Sequence, residues 1–293
     1  MKNYVITTDS NSDLPKEYIE KFNTVIIPQY YSFGDTVYGD ELNMSPAEFY
    51  ERMKNGELPQ SQANNPAVIE EKFRALLDQG YDIIHIAFSS ALSGSYNNVC
   101  MVTRELLEEY QDSKITVIDS LSASLGESIM LIQANDLKNS GASYEETVNA
   151  LEDMKNHINI LFTVNDLFHQ QRGGRVSKTT ALVGSALNLK PSLYFSDAGT
   201  LVSNGTTRGR KKAIRTLVER MKESLAENTD YSIPVGIIHG NCLDEAQNLA
   251  KLVQEETSFT NIIINDISPS IGAHAGPGAL GVIFYGQPKP AVK

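Results

Sequence analysis

The chain has 293 residues, room for two domains at about 150 residues each, with cores large enough to fold without disulfide staples. Lys plus Arg number 25 against 36 Asp plus Glu, a formal charge of −11 that argues against a nucleic-acid binder or an anionic-membrane binder. The two cysteines, Cys100 and Cys242, fall in helix-like segments with no second Cys or His at metal-ligand spacing, so both are expected as reduced packing residues, with no metal and no cofactor.

The amino terminus enters a strand pattern at Tyr4, without the apolar stretch and small-residue cleavage site of a secretory signal. No apolar run reaches the ~20 residues of a membrane span, so a cytoplasmic protein without stable membrane insertion is expected. A strand at Val5–Ser10 leads to a helix opened by Ser12, Asp13 and Pro15, and Thr24–Phe33 with Gly34–Gly39 reads as a hairpin inserted early in the sheet layer, placed to cover a site. Ser45–Glu48 and Ser143–Glu146 have capping-box spacing, and Pro66 after Asn65 suits the first turn of a helix carrying Ile69, Phe73, Leu76 and Leu77.

Tyr81–Phe88 is apolar and β-branched, as in the middle of a parallel sheet, and runs into the hydroxyl-rich, glycine-hinged helix start Ser89–Tyr96. Ile115–Ser120 repeats that pattern ahead of Ser122, Ser124 and Gly126, so three strands end in Ser or Asp-Ser. In an open α/β sheet the ligand crevice lies beyond the carboxyl ends of the strands. Ser93, Gly94 and Ser120 therefore converge, on this reading, on one polar, largely uncharged site, where hydroxyls and helix-terminal amides suit a carboxylate or phosphate. The plain alternative for any one cluster is N-capping.

Past residue 160 the pattern becomes strand, helix, strand: strands at Ile158–Val164, Leu193–Phe195, Leu201–Asn204, Pro234–Ile238, Ile262–Ile267 and Leu280–Tyr285, with helices on Ala213–Leu225 and Leu243–Val253. The expected fold is an amino-terminal parallel-sheet α/β domain (1–160) followed by a carboxy-terminal α+β domain (161–293) with a mainly antiparallel sheet that closes over the ligand. The tail Gln287–Lys293 reads as an exposed end. Leu125–Leu137 and Thr179–Leu189 read as core helices whose small and apolar content also suits the wall of a long apolar pocket.

Gly276–Gly281 satisfies a GxGxxG string, but a strand follows it and the chain ends at Lys293, so it reads as a loop whose backbone approaches a ligand or another element and not as a dinucleotide fingerprint. His274, just ahead of it, either donates to a bound carboxylate or takes a proton. The Arg172–Arg175 turn, with Gly173 and Gly174 between its guanidiniums, can clamp an oxyanion, whereas Thr206–Arg215 reads as a solvated helix start or a docking surface. No phosphate loop, HExxH or GxSxG is present.

Taken together, Thr8–Pro15, Ser61-Gln62, Ser89–Tyr96, Arg172–Arg175, Lys190-Pro191 and Gly272–Gly281 resemble the DegV family of bacterial fatty-acid-binding proteins across almost the whole chain. The resemblance implies a long-chain fatty acid held between two domains, its carboxylate at Ser61 and Ser93, with Gln62, Gly94, Ser120, Ala275 and His274 in the binding set and Arg172 and Arg175 nearby. It also implies a partner, a separate ATP-using fatty acid kinase that makes an acyl-phosphate for phospholipid synthesis, so that the chain is not itself an enzyme. Ser61 stands where the family more often has Thr, and Asn64-Asn65 where it has Pro-Ser. The rival reading is a Ser93/His274 hydrolase or a His274 phosphotransfer enzyme acting on a small anionic substrate.

Overall fold

A computed structural model describes residues 3–165, 167–176 and 188–291. The first sheet is entirely parallel, in the order β2-β1-β6-β7, from β1 (Tyr4–Asp9), β2 (Ile26–Ile27), β6 (Asp82–Ala87) and β7 (Ile115–Asp119). Every residue of β6 is buried, as a central parallel strand requires. Its one imidazole, His85, bonds Thr7 Oγ1 at 2.9 Å through Nδ1 and is held uncharged by burial, which pushes its pKa down to about 3.

Helices α3 (Pro66–Asp78) and α4 (Ser95–Glu109) cover one face of this sheet, and α5 (Leu125–Asn139) and α6 (Tyr144–Met154) the other, where Tyr18, Ile19 and Phe22 of α1 (Lys16–Phe22) also pack. The helix starts obey their sequence signals. Ser143 and Glu146 form a reciprocal capping box, Ser45 accepts from the Glu48 amide at the start of α2 (Pro46–Lys54), and Asn65 accepts from Ala67 N.

The expected hairpin forms between β3 (Tyr30–Phe33) and β4 (Thr36–Tyr38), while Ile26–Ile27 leaves it to pair with β1. The hairpin recruits a third strand, β5 (Gln60–Gln62), with Ser61 opposite Tyr31. That small sheet therefore carries Ser61 out of the main layer.

The second sheet has six strands in the order β10-β9-β8-β13-β11-β12: β8 (Ile158–Thr163), β9 (Leu189–Phe195), β10 (Leu201–Arg208), β11 (Val235–His239), β12 (Ile262–Asp266) and β13 (Leu280–Tyr285). All neighbours are antiparallel except β11 and β12, whose parallel pairing follows from the crossover helix α9 (Leu243–Glu256). Together with α8 (Arg210–Glu223), α9 covers the outer face. The inner face meets α5, so this helix lies between the two sheets and is buried nearly all round. Gly236 on β11 permits that contact, since a Cβ there would lie 2.8 Å from Leu125 Cβ.

Two expectations change, and a third falls mostly outside the described residues. The tail is docked through residue 290: Lys289 is only 6 % exposed, its amide donates to Asn156 O and its ammonium to Leu121 O, and Asp197 N donates to Pro290 O. The lysine stem and main-chain partners offset the absence of an apolar pattern. Cys242 is the N-cap residue of α9, where its Sγ donates to Ala279 O. Most of the helix read at Thr179–Leu189 lies outside the described residues, and its last residue, Leu189, opens β9.

Candidate functional site

The carboxyl ends of β1, β6 and β7 do converge, but most of their polar groups are spent on one another. Asp9 accepts from Asn11 N at 2.8 Å and Phe88 N at 3.0 Å, and Asp119 accepts from Ser90 N and Leu121 N. Ser89 donates to Gly199 O, and Ser124 to the Asp13 carboxylate. Ser120 holds its own turn, accepting from Ser122 N and donating to Ser122 O, and does not line the pocket. A strand-end serine near a crevice can thus be consumed by the loops that shape it.

What the loops enclose is a cavity of about 180 Å³, far above the roughly 10–15 Å³ that one water needs. Its apolar wall comes from alternate residues on the inner face of the second sheet, Ile160 and Phe162 on β8, Phe195 and Ile238, together with Phe88 and Leu201. Strand alternation puts Ile160 and Phe162 on one face, which the sequence shows; that this face meets a cavity, it does not. No Asp or Glu is among the described residues that line it.

At one end the wall turns polar. Ser61, Gln62, Ser93, Gly94, His274 and Ala275 all line the cavity, as does Arg175. Ser93 and Gly94 stand at the start of α4, whose first amide, Ser95 N, donates to Ser93 Oγ at 3.2 Å. The positive end of this 15-residue helix therefore faces the pocket. Gln29, buried at the β2–β3 turn, accepts from Ser95 Oγ at 2.8 Å, which leaves Ser93, 2.8 Å from Ser95 Oγ, as the donor between the two serines. Gln29 and Asn11 line the pocket without having been singled out; a polar residue next to Pro28 carries no periodic signal.

His274 sits on α10 (Pro269–Ala275), which packs against β5, and its Nε2 lies 2.6 Å from Ser61 Oγ. Its other nitrogen is buried without a hydrogen-bond partner among the described residues. Burial first, then the Arg175 and Arg172 guanidiniums and His169, push the imidazole's pKa down to about 4, so the ring is neutral at pH 7. A buried bare lone pair costs less than a buried bare N–H, so the proton belongs on Nε2, donating to Ser61. Ser61 then has its own hydrogen free for a ligand.

The two arginines differ. Arg175 lines the pocket, with Nε donating to Leu92 O at 3.1 Å. Arg172, on α7 (Phe168–Arg172), stands behind it and ties Pro59 O at 2.7 Å to Ala273 O at 3.2 Å. Burial lowers both pKa values without discharging either group. The glycine between α7 and the turn makes room for the imidazole, since a Cβ on Gly173 would lie 2.6 Å from His274 Cε1.

The assembly is an apolar cavity ending in hydroxyls, a helix amino terminus, a neutral imidazole and a guanidinium, which suits a long apolar molecule with an anionic head. Ser93 and His274 are not hydrogen-bonded partners here, and the pair that does meet, Ser61 and His274, has no carboxylate among the described residues on the ring's other nitrogen. Among the described residues no group of three or more His, Cys, Asp or Glu could hold a metal, and no helix is long and apolar enough to cross a membrane.

Comparison with known proteins finds relatives that match along nearly the whole chain. A family model described as uncharacterised protein, DegV family, matches residues 3–287. A DegV domain-containing protein of Clostridium perfringens is 35 % identical over 291 residues, covering 99 % of each chain. A fatty acid (stearic acid)-binding protein from Eubacterium ventriosum superposes with a TM-score of 0.87 at 28 % identity, covering 96 % of this chain and 98 % of that one. DegV, a fatty acid binding protein from Bacillus subtilis, gives 0.83 at 29 % identity, covering 98 % and 100 %.

Proposed function

The chain belongs to the DegV family, and we propose accordingly that its cavity binds one long-chain fatty acid, with the carboxylate at the polar end and the acyl chain against the second sheet. The observation that carries the reading is the division of a single cavity: an aliphatic and aromatic wall with no Asp or Glu among its described residues, closed by Ser61, Ser93 and Arg175 beside the start of α4. Gln62, Gly94, His274 and Ala275 complete the head-group set, and Arg172 supports it from behind. Apolar burial at ~0.8 kcal/mol per CH₂ supplies affinity, and the donors fix orientation.

In this reading the chain works in the cytoplasm as a carrier and not as a catalyst, presenting the carboxylate to a separate ATP-using fatty acid kinase that forms an acyl-phosphate for phospholipid synthesis. The pairing of β8 with β13 and β9 of the second sheet supports a division into two units near residue 160, with the second closing over the ligand. Native mass spectrometry of the protein purified from bacterial cells, with extraction and identification of bound molecules, tests the binding. A stoichiometric fatty acid supports it; an empty protein that also fails to take up added palmitate refutes it. Acyl-phosphate formation with a cognate kinase tests the second step, and Arg172→Ala should slow it more than it weakens binding. A covalent acyl or phosphoryl adduct on Ser61, Ser93 or His274 would instead favour an enzyme.

A further inference from the structure

Asp13 does not line the cavity, yet it joins three segments that do. Its carboxylate accepts from Ser268 N at 3.0 Å and from the Ser124 hydroxyl, and its carbonyl accepts from Asn265 Nδ2 at 2.7 Å. Ser124 leads into α5 and lines the cavity, as does Asn11 in Asp13's own turn, whose carbonyl accepts from Ser124 N at 2.9 Å. Ser268 is the N-cap residue of α10, the helix that carries Ser270, Ile271 and His274 into the cavity.

The backbone at this joint is strained. Asp13 (φ 51°) and Ser124 (φ 56°, ψ −139°) are both non-glycine residues at positive φ, and they meet side chain to side chain. Such conformations persist only where surrounding contacts over-determine them. Asp13 is also 6 % exposed, and burial, reinforced by Asp9, raises its pKa to about 7. A carboxyl kept at that cost in a dry site is holding something in place.

What it holds is the amino end of a helix of seven residues, too short to set its own position. The other anchors of α10 lie elsewhere: Tyr50 donates to Ile267 O at 3.1 Å, Arg172 to Ala273 O, and Gln170 to Ala275 O at 3.4 Å. The contacts of Asp13 with Ser268 tie the start of the helix directly to the turns of the first sheet that wall the cavity. We propose that Asp13 is a positioning residue of the pocket, setting the seat of α10 so that the Ser61–His274 contact, and with it the affinity for a carboxylate head, depends on a side chain that never touches the ligand. The affinity part rests on the fatty-acid reading; the positioning part does not.

The test uses D13N, D13A and S268P in the full chain. Asparagine keeps an acceptor for Ser268 N and a polar atom for Ser124, and so mimics the protonated acid. Alanine removes both, and proline at 268, whose φ of −57° it can adopt, removes the amide donor together with the Ser268 hydroxyl, so S268A, which loses the hydroxyl alone, is the control that isolates the amide. Two readouts are taken: the His274 imidazole resonances of ligand-free protein, assigned by their loss in His274→Gln, and the dissociation constant for palmitate. D13A and S268P should shift the His274 signals and weaken palmitate about tenfold, while D13N stays within about threefold of the parent. Unchanged His274 signals in folded S268P overturn the proposal even if D13A fails to fold, and so does equal damage in D13N and D13A. If the parent protein does not bind palmitate at all, the fatty-acid reading fails while the ligand-free resonances still decide the role of Asp13.

Discussion

Gly173→Ala isolates the Ser61–His274 contact better than removing either partner. Gly173 has φ −76° and ψ −6°, which alanine adopts without strain, so the backbone itself resists nothing. The added methyl would lie 2.6 Å from His274 Cε1 and nearer still to Nδ1, whereas ordinary contact begins near 3.4 Å. The ring must retreat by about 1 Å or more, and it is confined by Ser61 on the far side. Its 2.6 Å bond to Ser61 cannot survive, because Ser61 is paired within a sheet and α10 is anchored at both ends. Losing a buried neutral hydrogen bond costs roughly 1–3 kcal/mol, a five- to 150-fold weakening of any ligand that relies on Ser61 as a donor. Calorimetric titration with palmitate measures it, beside hexadecanol as a control that lacks the anionic head. G173A should lose affinity for the acid far more than for the alcohol. Parental affinity for palmitate in G173A, with an unmoved His274 resonance, would refute the idea that the imidazole prepares Ser61.

Ser93→Ala removes the hydroxyl at the start of α4 and should weaken palmitate about five- to tenfold, read by the same titration; parental affinity would take Ser93 out of the head-group set. Across saturated acids from ten to sixteen carbons, affinity should rise about fourfold per CH₂ until the cavity is full, and a flat series would mean that the apolar wall in Phe162 and Phe195 does not hold the chain. The pH dependence of stability has a definite sign at Asp13. Its folded pKa of about 7 stands above the ordinary 3.8, so the folded state retains a proton that the unfolded state releases, and this contribution is lost as pH rises between those values. Asp9, raised to about 6, and Glu127, raised well above its ordinary range, pull the same way, and Tyr50 stays protonated beside them. D13N should therefore gain stability relative to the parent from pH 5 to pH 8 in urea titrations; a constant difference would show that Asp13 titrates normally. His274 has the opposite sign, its folded pKa of about 4 lying below the ordinary 6.5, so His274→Gln should relieve a loss of stability on acidification between pH 6.5 and 4.

Local sequence rules were enough for most of the elements and their layering, though not for the short strand Gln60–Gln62 or the seven-residue helix that carries His274. A strand buried on both faces needs an apolar, β-branched run, as Asp82–Ala87 shows, and a helix start needs local amide acceptors, as at Ser45, Asn65 and Ser143. Both requirements are readable one residue at a time, and together they specify a parallel sheet followed by a mainly antiparallel one. The motifs also pointed to Ser93, His274 and Arg175, through a glycine-hinged hydroxyl, an imidazole among small residues and a glycine-flanked guanidinium, whereas Ser61 came only with the family resemblance; all four line the cavity. Which polar groups remain for a ligand was settled only by the packed fold. Ser93 and Ser120 have the same local pattern and each accepts from the amide two residues on, but only Ser93 lines the cavity, where its hydroxyl can turn from Ser95 toward a ligand. Ser61 and His274 are 213 residues apart, and only the pairing of β5 with β3 and the packing of α10 on β5 bring them to 2.6 Å. Hydrogen-bond partners over such separations are set by how the layers close on one another, a property of the packed whole that no short stretch of sequence encodes.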